Sequence, residues 1–206
     1  MENNQNTQEK NSNVISTPTG IQAKPQEPLR VGIISSETNK ENIFAFRDVF
    51  LAINNRLGER VQLIVFGHYS DDQDGNWLKE VDFEFVKPVS IVHYFKQLRA
   101  LNLDLIFIPL LRTPYNIRSE TLGKFFEGAV FNIPVLAPRF FPYNNGDIVD
   151  KHNGFLYENG DQIVLILDHL YIQRPLVKAV GRNAHNFVMQ EFNYSNHNIK
   201  LLADSF

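Results

Sequence analysis

A polar loop with several hydroxyl and charged side chains separates an apolar run from the first amphipathic segment of the chain. It spans residues 35–40 and reads SSETNK. At the start of a helix, free backbone N–H groups and the positive end of the helix dipole favour a phosphate. The Lys40 ammonium would add a positive charge, and the Ser36 and Thr38 hydroxyls would add donors. The loop is therefore a candidate phosphate site. Taken alone, it favours the alternative interpretation, an ordinary capped turn with a surface lysine.

A lysine and a glutamate, Lys124 and Glu127, lie three residues apart in a later amphipathic segment. The carboxylate of Glu127 can accept two hydrogen bonds from a ribose diol, and the Lys124 ammonium can contact a phosphate. The alternative is a solvated i,i+3 ion pair on a helix surface. Both side chains are predicted to lie on the face opposite an apolar stripe made of Leu122, Phe125, Phe126, Ala129 and Val130.

Two further segments carry side chains that could contact a ligand. Residues 113–116 read TPYN and are followed by Arg118, whose guanidinium could bind a phosphate with two hydrogen bonds. The alternative for this segment is a rigid surface loop with a solvated arginine. Residues 140–143 read FFPY, and for them a packed aromatic turn is favoured over stacking on a ligand.

Several kinds of site find no support in the sequence. The chain has no cysteine, which excludes disulfides, thiolate metal sites and cysteine nucleophiles. Its six histidines are scattered without a metal-ligand spacing, so no metal site is assigned. A GxSxG nucleophile elbow and a GxGxxG dinucleotide fingerprint are also absent from the sequence. We therefore expect no metal and no cofactor.

The elements that position these side chains follow from hydrophobic periodicity. Apolar runs predict six strands, at residues 29–35, 61–66, 81–86, 103–110, 134–137 and 154–157. Helical spacing predicts helices at residues 42–57, 92–101, 122–130, 163–170 and 177–192. A long polar loop is predicted between the fourth strand and the helix that carries Lys124. Because strands and helices alternate, we predict an α/β fold with a doubly wound, Rossmann-like parallel sheet.

Length and charge limit the organisation and the partners. With 206 residues and 43% hydrophobic residues, the chain is expected to form one domain at residues 29–206. Residues 1–28 are polar and are predicted to be a disordered tail or linker. The net charge of -3 gives no electrostatic reason to expect nucleic acid or an anionic membrane as a partner. Neither a signal peptide nor a transmembrane run is found in the sequence, so we expect a cytoplasmic protein.

The segment 103–157 resembles the donor-binding, C-terminal half of GT-B glycosyltransferases, of the retaining type called family 4 or glycosyl transferases group 1. The glutamate at position 127 corresponds to the one that holds the nucleotide ribose in that family. Loop residues 35–40 correspond to a loop that faces the diphosphate and often reads Gly-Ser-x-Thr-x-Lys, with Ser35 in the glycine place. The other matching residues are Pro114, Tyr115, Asn116, Thr121, Lys124, Phe125, Pro134, Val135, Pro142, Tyr143, Asn153 and Gly154.

The resemblance also shows departures. Many family members carry a second glutamate eight residues before the ribose glutamate. Here Ser119 occupies that position and Glu120 follows one residue later. Gly123 is predicted to lie within the helix and to weaken it by up to about 1 kcal/mol relative to alanine.

The resemblance implies a UDP- or GDP-linked sugar as partner, bound without a metal and transferred to a glycan or glycoconjugate in polysaccharide biosynthesis. In such hexosyltransferases a second, N-terminal domain holds the acceptor, and residues 1–28 are too few to form it. Three hypotheses follow. The chain is half of a glycosyltransferase that works with a separate acceptor domain or subunit. Alternatively, it is a degenerate, non-catalytic module that binds a nucleotide, glycan or protein. The third, a complete small α/β enzyme of flavodoxin or phosphatase type, has no supporting motif.

Overall fold

A parallel six-stranded sheet forms the centre of the fold in the computed structural model, which describes residues 26–36, 40–68 and 79–192. The strand order is β3-β2-β1-β4-β5-β6, the order of a doubly wound Rossmann-like sheet, so the predicted fold class is confirmed. The strands are β1 Leu29–Ser35, β2 Val61–Gly67, β3 Phe83–Val86, β4 Leu105–Phe107, β5 Val135–Pro138 and β6 Phe155–Tyr157.

Helices connect the strands on both faces of the sheet. They are α1 Lys40–Ala45, α2 Arg47–Leu57, α3 Ile91–Ala100, α4 Pro114–Ser119, α5 Gly123–Val130, α6 Gly160–Ile172 and α7 Arg174–Glu191. Most agree with the predicted segments, and the chain leaves α2 at Gly58, which has a φ of 48°. Three predictions were wrong in detail: the helix at 42–57 is two helices, the polar loop before α5 contains α4, and β4 is shorter than 103–110.

The break between α1 and α2 occurs at Phe46, whose ring packs into the core. Its centroid lies 5.9 Å from that of Phe107 and 6.1 Å from that of Tyr157, both in edge-on geometry. The backbone of Phe46 leaves helical geometry, with φ -95° and ψ 12°. Because these aromatic contacts depend on distant strands, helical spacing in the sequence did not reveal the break.

The other two differences have local causes. Thr113 caps α4, since its hydroxyl accepts a hydrogen bond from the Asn116 backbone N–H at 3.1 Å, and Pro114 occupies the first turn. A threonine cap followed by proline is a helix start signal, so the sequence did contain the sign of α4. Strand β4 ends early because Pro109, two residues after Phe107, has no N–H for a sheet ladder.

Strand residues alternate between two apolar layers, one on each face of the sheet. In β2, Val61, Leu63 and Val65 belong to one layer and Ile64 and Phe66 to the other. Helices α2 and α6 cover the first layer, and α3 and α5 cover the second, while α7 contributes to both. The connections that leave β1 and β4 thus run to opposite faces of the sheet.

Residues 26–28, the end of the predicted tail, contact the folded part of the chain. Arg174 donates hydrogen bonds to the carbonyl oxygens of Glu27 at 3.0 Å and Pro28 at 2.6 Å, and Tyr171 donates to the Gln26 carbonyl at 3.4 Å. The rest of the tail lies outside the described residues. The last three tail residues therefore contribute contacts that the sequence prediction did not include.

Two truncations distinguish the effect of residues 1–25 on stability from that of the contacts made by residues 26–28. We expect deletion of residues 1–25 to leave the thermal unfolding midpoint unchanged. Deletion of residues 1–28 removes the two backbone carbonyl acceptors of Arg174, worth about 1–1.5 kcal/mol, and lowers the midpoint by about 3–5 °C. Differential scanning calorimetry of both truncations and the full chain measures this. A drop of many degrees on removing residues 1–25 would show that the tail stabilises the fold.

Candidate functional site

The candidate site lies where neighbouring connections diverge to opposite faces of the sheet. β1 and β4 are adjacent and parallel, and the helices that follow them cover different layers. In open parallel sheets this divergence opens a crevice beyond the carboxyl ends of the strands, where ligands bind. Ser35 and Ser36 at the end of β1 therefore mark the expected position of a ligand.

A cleft of about 370 Å³ lies at this position. It is bounded by the end of β1, the first turns of α3, and the start of α5. Its lining residues are Ile34, Ser35, Ser36, Ile91, Tyr94, Glu120, Thr121, Gly123, Lys124 and Glu127. The structure therefore brings Ser36 together with Thr121, Lys124 and Glu127, which lie 85 to 91 residues later in the sequence.

Lys124 makes an ion pair with Glu120 and not with Glu127, the partner in the alternative interpretation. The Lys124 Nζ atom lies 3.1 Å from Glu120 Oε1, with the two side chains 18% and 12% exposed. The buried Tyr143 hydroxyl donates to the same oxygen at 3.0 Å. Burial, and then the charge of Glu120, raises the pKa of Tyr143 well above its usual value, so this hydroxyl remains a donor.

Glu127 has a different partner, the tyrosine of a neighbouring helix. Tyr94 of α3 donates its hydroxyl hydrogen to Glu127 Oε2 at 2.7 Å. Burial, together with the hydrogen bond to this carboxylate, raises the pKa of Tyr94 well above its usual value. Glu127 is therefore oriented from α3 while it lines the cleft.

The other residues predicted for the site differ in whether the structure places them at the cleft. Thr38 lies outside the described residues, and for Lys40 only the backbone is described, as the first residue of α1. Arg118 is exposed in the last turn of α4 and is not among the residues that line the cleft. Thr121 accepts a hydrogen bond from the Gly123 backbone N–H at 3.2 Å. Gly123 itself begins α5, so the prediction that it weakens the helix interior was wrong.

Buried amides join α1 to the connection after β4. Asn42 Oδ1 accepts hydrogen bonds from the Leu111 backbone N–H at 3.0 Å and from Asn116 Nδ2 at 2.9 Å. Asn116 Nδ2 also donates to the Leu111 carbonyl at 2.8 Å. Asn42 is 5% exposed and Asn116 9%. Asn116, expected to border a ligand, thus fixes the position of the loop, while its neighbour Tyr115 is exposed.

The aromatic turn at 140–143 is mostly packed, as the favoured interpretation had it. Tyr143 is fully buried and Phe140 packs against the second apolar layer, although Phe141 remains exposed. Tyr143 reaches the cleft only through its hydrogen bond to Glu120. The apolar stripe of α5 is also as predicted, except that Val130 is exposed.

Three residues at the site escaped the sequence prediction: Glu120, Tyr94 and the hydroxyl of Tyr143. For Glu120 there was a signal, since it lies four residues before Lys124, a spacing suited to an ion pair. For Tyr94 there was none, because nothing in the sequence shows that α3 lies beside α5. Glu120 also occupies the cleft despite lying one position from the family pattern.

One larger groove has a different position in the fold. A groove of about 1000 Å³ lies at the amino ends of β1, β2 and β3, lined by residues such as Gln26, Arg60 and Glu84. This edge is opposite to the one where ligands of parallel sheets bind, so its size does not make it the candidate site. Among the described residues, no three side chains of metal-ligating types come together. None of the described helices is long and apolar enough to cross a membrane.

Several solved structures with a similar fold are glycosyltransferases. The C-terminal domain of the group 1 glycosyltransferase LpcC from Francisella tularensis has a TM-score of 0.61 and 17% identity, covering 82% of this chain and 89% of that domain. HepE from Anabaena, solved with UDP and glucose, has a TM-score of 0.62 and 16% identity, covering 87% of this chain and 49% of HepE. WaaG, a glycosyltransferase of lipopolysaccharide biosynthesis, has a TM-score of 0.63 and 18% identity, covering 84% and 45%.

The likeness concerns the fold, which is that of the C-terminal domain of GT-B glycosyltransferases. This confirms the fold that the resemblance implied. The chain spans less than half the length of HepE and WaaG. A comparison with protein-family models finds no match, and a search of curated proteins finds none either.

Proposed function

We propose that this chain is the donor-binding domain of a glycosyltransferase and binds a nucleotide sugar in the cleft between β1, α3 and α5. The observation that carries the proposal is the placement of Lys124 and Glu127. Both line one cleft at the position where the sheet connections diverge. A cation for phosphate and a carboxylate for a sugar diol are the two groups that a nucleoside diphosphate requires.

In the proposed complex the diphosphate lies between Lys124 and the segment after β1, to which Ser36, Thr38 and Lys40 belong. Glu127 accepts hydrogen bonds from the ribose hydroxyls through the oxygen that Tyr94 leaves available. Thr121 borders the diphosphate at the start of α5. Arg118 is proposed only as a more distant cation, because it does not line the cleft.

The ion pair between Lys124 and Glu120 is expected to weaken nucleotide binding. The ammonium already contacts a carboxylate at 3.1 Å, so a phosphate must share or displace that partner. We expect weak binding of a free nucleoside diphosphate, with a dissociation constant on the order of 0.1–1 mM, or about 4–5.5 kcal/mol. Transfer to a glycan or glycoconjugate is proposed to require a second domain or subunit that holds the acceptor and closes the cleft.

The test is a titration of nucleotides into the chain and into its Glu127→Ala variant, monitored through amide NMR signals. UDP, GDP and ADP are added separately. We expect at least one of them to shift the amides of Ser36 and Lys124, and Glu127→Ala to lose about 1–3 kcal/mol of binding. Its unfolding free energy should fall by only about 1 kcal/mol, since the Tyr94 hydroxyl loses its acceptor at a partly solvated position.

A matched variant removes a carboxylate far from the cleft. Glu59→Ala changes an exposed glutamate that lines the groove at the opposite edge of the sheet, so its nucleotide affinity should equal that of the wild type. If none of the three nucleotides shifts amides near Ser36 and Lys124, the donor site is not functional. The chain would then be the degenerate, non-catalytic module.

A further inference from the structure

Tyr94 connects the apolar core to the carboxylate that lines the cleft. Its hydroxyl lies 2.7 Å from Glu127 Oε2, a length typical of a charge-assisted hydrogen bond to a carboxylate. The two residues lie on different helices and are 33 residues apart in sequence. This contact therefore fixes Glu127 relative to α3, a helix that carries no residue of the sequence-predicted site.

Contacts with two aromatic rings hold the ring of Tyr94 in place. It stacks on Phe66 of β2, with a centroid distance of 5.4 Å and an interplanar angle of 18°. Phe95 packs edge-on against it at 5.3 Å. Because Phe66 is buried in the second apolar layer, the hydroxyl of Tyr94 is anchored to the sheet.

We propose that Tyr94 is a positioning residue that orients the Glu127 carboxylate for the ribose diol of a nucleoside diphosphate. This inference rests on the proposed function. The Tyr94 hydroxyl engages Oε2, which leaves Oε1 and the remaining lone pairs to accept from the diol. The raised pKa of Tyr94 keeps the hydroxyl protonated, so it donates to the carboxylate at every physiological pH.

An oriented Glu127 carboxylate should raise the affinity only of nucleotides that carry ribose hydroxyls. Tyr94→Phe removes the hydroxyl and keeps the ring that stacks on Phe66. We expect the wild type to bind UDP or GDP about tenfold more tightly than the corresponding 2′,3′-dideoxynucleotide, the value of one charged hydrogen bond. In Tyr94→Phe the affinity for the ribonucleotide should fall by about three- to tenfold, with that for the dideoxynucleotide unchanged.

The experiment titrates UDP, GDP and their 2′,3′-dideoxy forms into wild type, Tyr94→Phe and Tyr171→Phe, followed by NMR. Tyr171→Phe is the matched control, since its hydroxyl donates to the Gln26 carbonyl at the opposite edge and its binding should be that of the wild type. If Tyr94→Phe loses the same factor of affinity for the ribonucleotide and the dideoxynucleotide, or loses none for either, the positioning role is overturned. The nucleotide site itself would remain. A wild type that binds none of the four ligands would overturn the proposed function and this inference with it.

Discussion

Gly181→Ala is expected to lower the free energy of unfolding by about 2 kcal/mol or more. Gly181 lies in α7, and a Cβ atom there would sit 1.9 Å from the carbonyl oxygen of Asn132 and 3.1 Å from Cδ of Pro134. The obstacle is backbone, so a rotamer change cannot relieve it. Alanine favours a helix over glycine by about 1 kcal/mol, which offsets only part of the overpacking.

Chemical denaturation measures this effect, with Gly123→Ala as the matched control. At Gly123 the nearest atom to a new Cβ is the Thr121 hydroxyl oxygen at 3.3 Å, which can move. The control should remain within about 0.5 kcal/mol of the wild type. An unchanged midpoint for Gly181→Ala would show that α7 packs less closely on the turn between α5 and β5 than the structure indicates.

The contact at Gly181 also shows what the sequence could and could not predict. The strands were predictable because β1 and β2 are buried on both faces and read as continuous apolar runs. The approach of α7 to the Asn132 turn depends on tertiary packing, and a glycine within a helical pattern does not indicate it. The break at Phe46 has the same origin, since its ring contacts Phe107 and Tyr157 from other strands.

The site was predictable to a similar extent. Lys124 and Glu127 could be identified because their helix follows a strand whose carboxyl end faces ligands in this class of fold. Of their partners, Glu120 was indicated only by its spacing of four residues from Lys124, and Tyr94 was not indicated at all because it comes from α3. The pattern of residue types thus predicted that both side chains lie at the same edge of the sheet, whereas the hydrogen bonds that orient them required the fold.

Asn42→Ala is expected to destabilise the protein by about 2 kcal/mol, because it removes the acceptor of one partly buried donor and one of two acceptors of a buried amide. The Leu111 backbone N–H loses its partner, and Asn116 Nδ2 keeps only the Leu111 carbonyl. Asn54→Ala is the matched control, since Asn54 Oδ1 also accepts from a backbone N–H, that of Asp82 at 3.3 Å, but at an exposed position. Urea denaturation should place the control within about 0.5 kcal/mol of the wild type.

A double-mutant cycle with Asn116→Ala tests whether the two amides act as one unit. Asn116→Ala leaves Asn42 Oδ1 with the Leu111 N–H, so it should cost less than Asn42→Ala. Because Asn42 and Asn116 are in direct contact, we expect a coupling free energy of about 0.5–3 kcal/mol between the two substitutions. Additive losses would show that the two side chains stabilise the fold separately. Coupling would mean that the two amides act as one unit that holds α1 and the connection after β4 together.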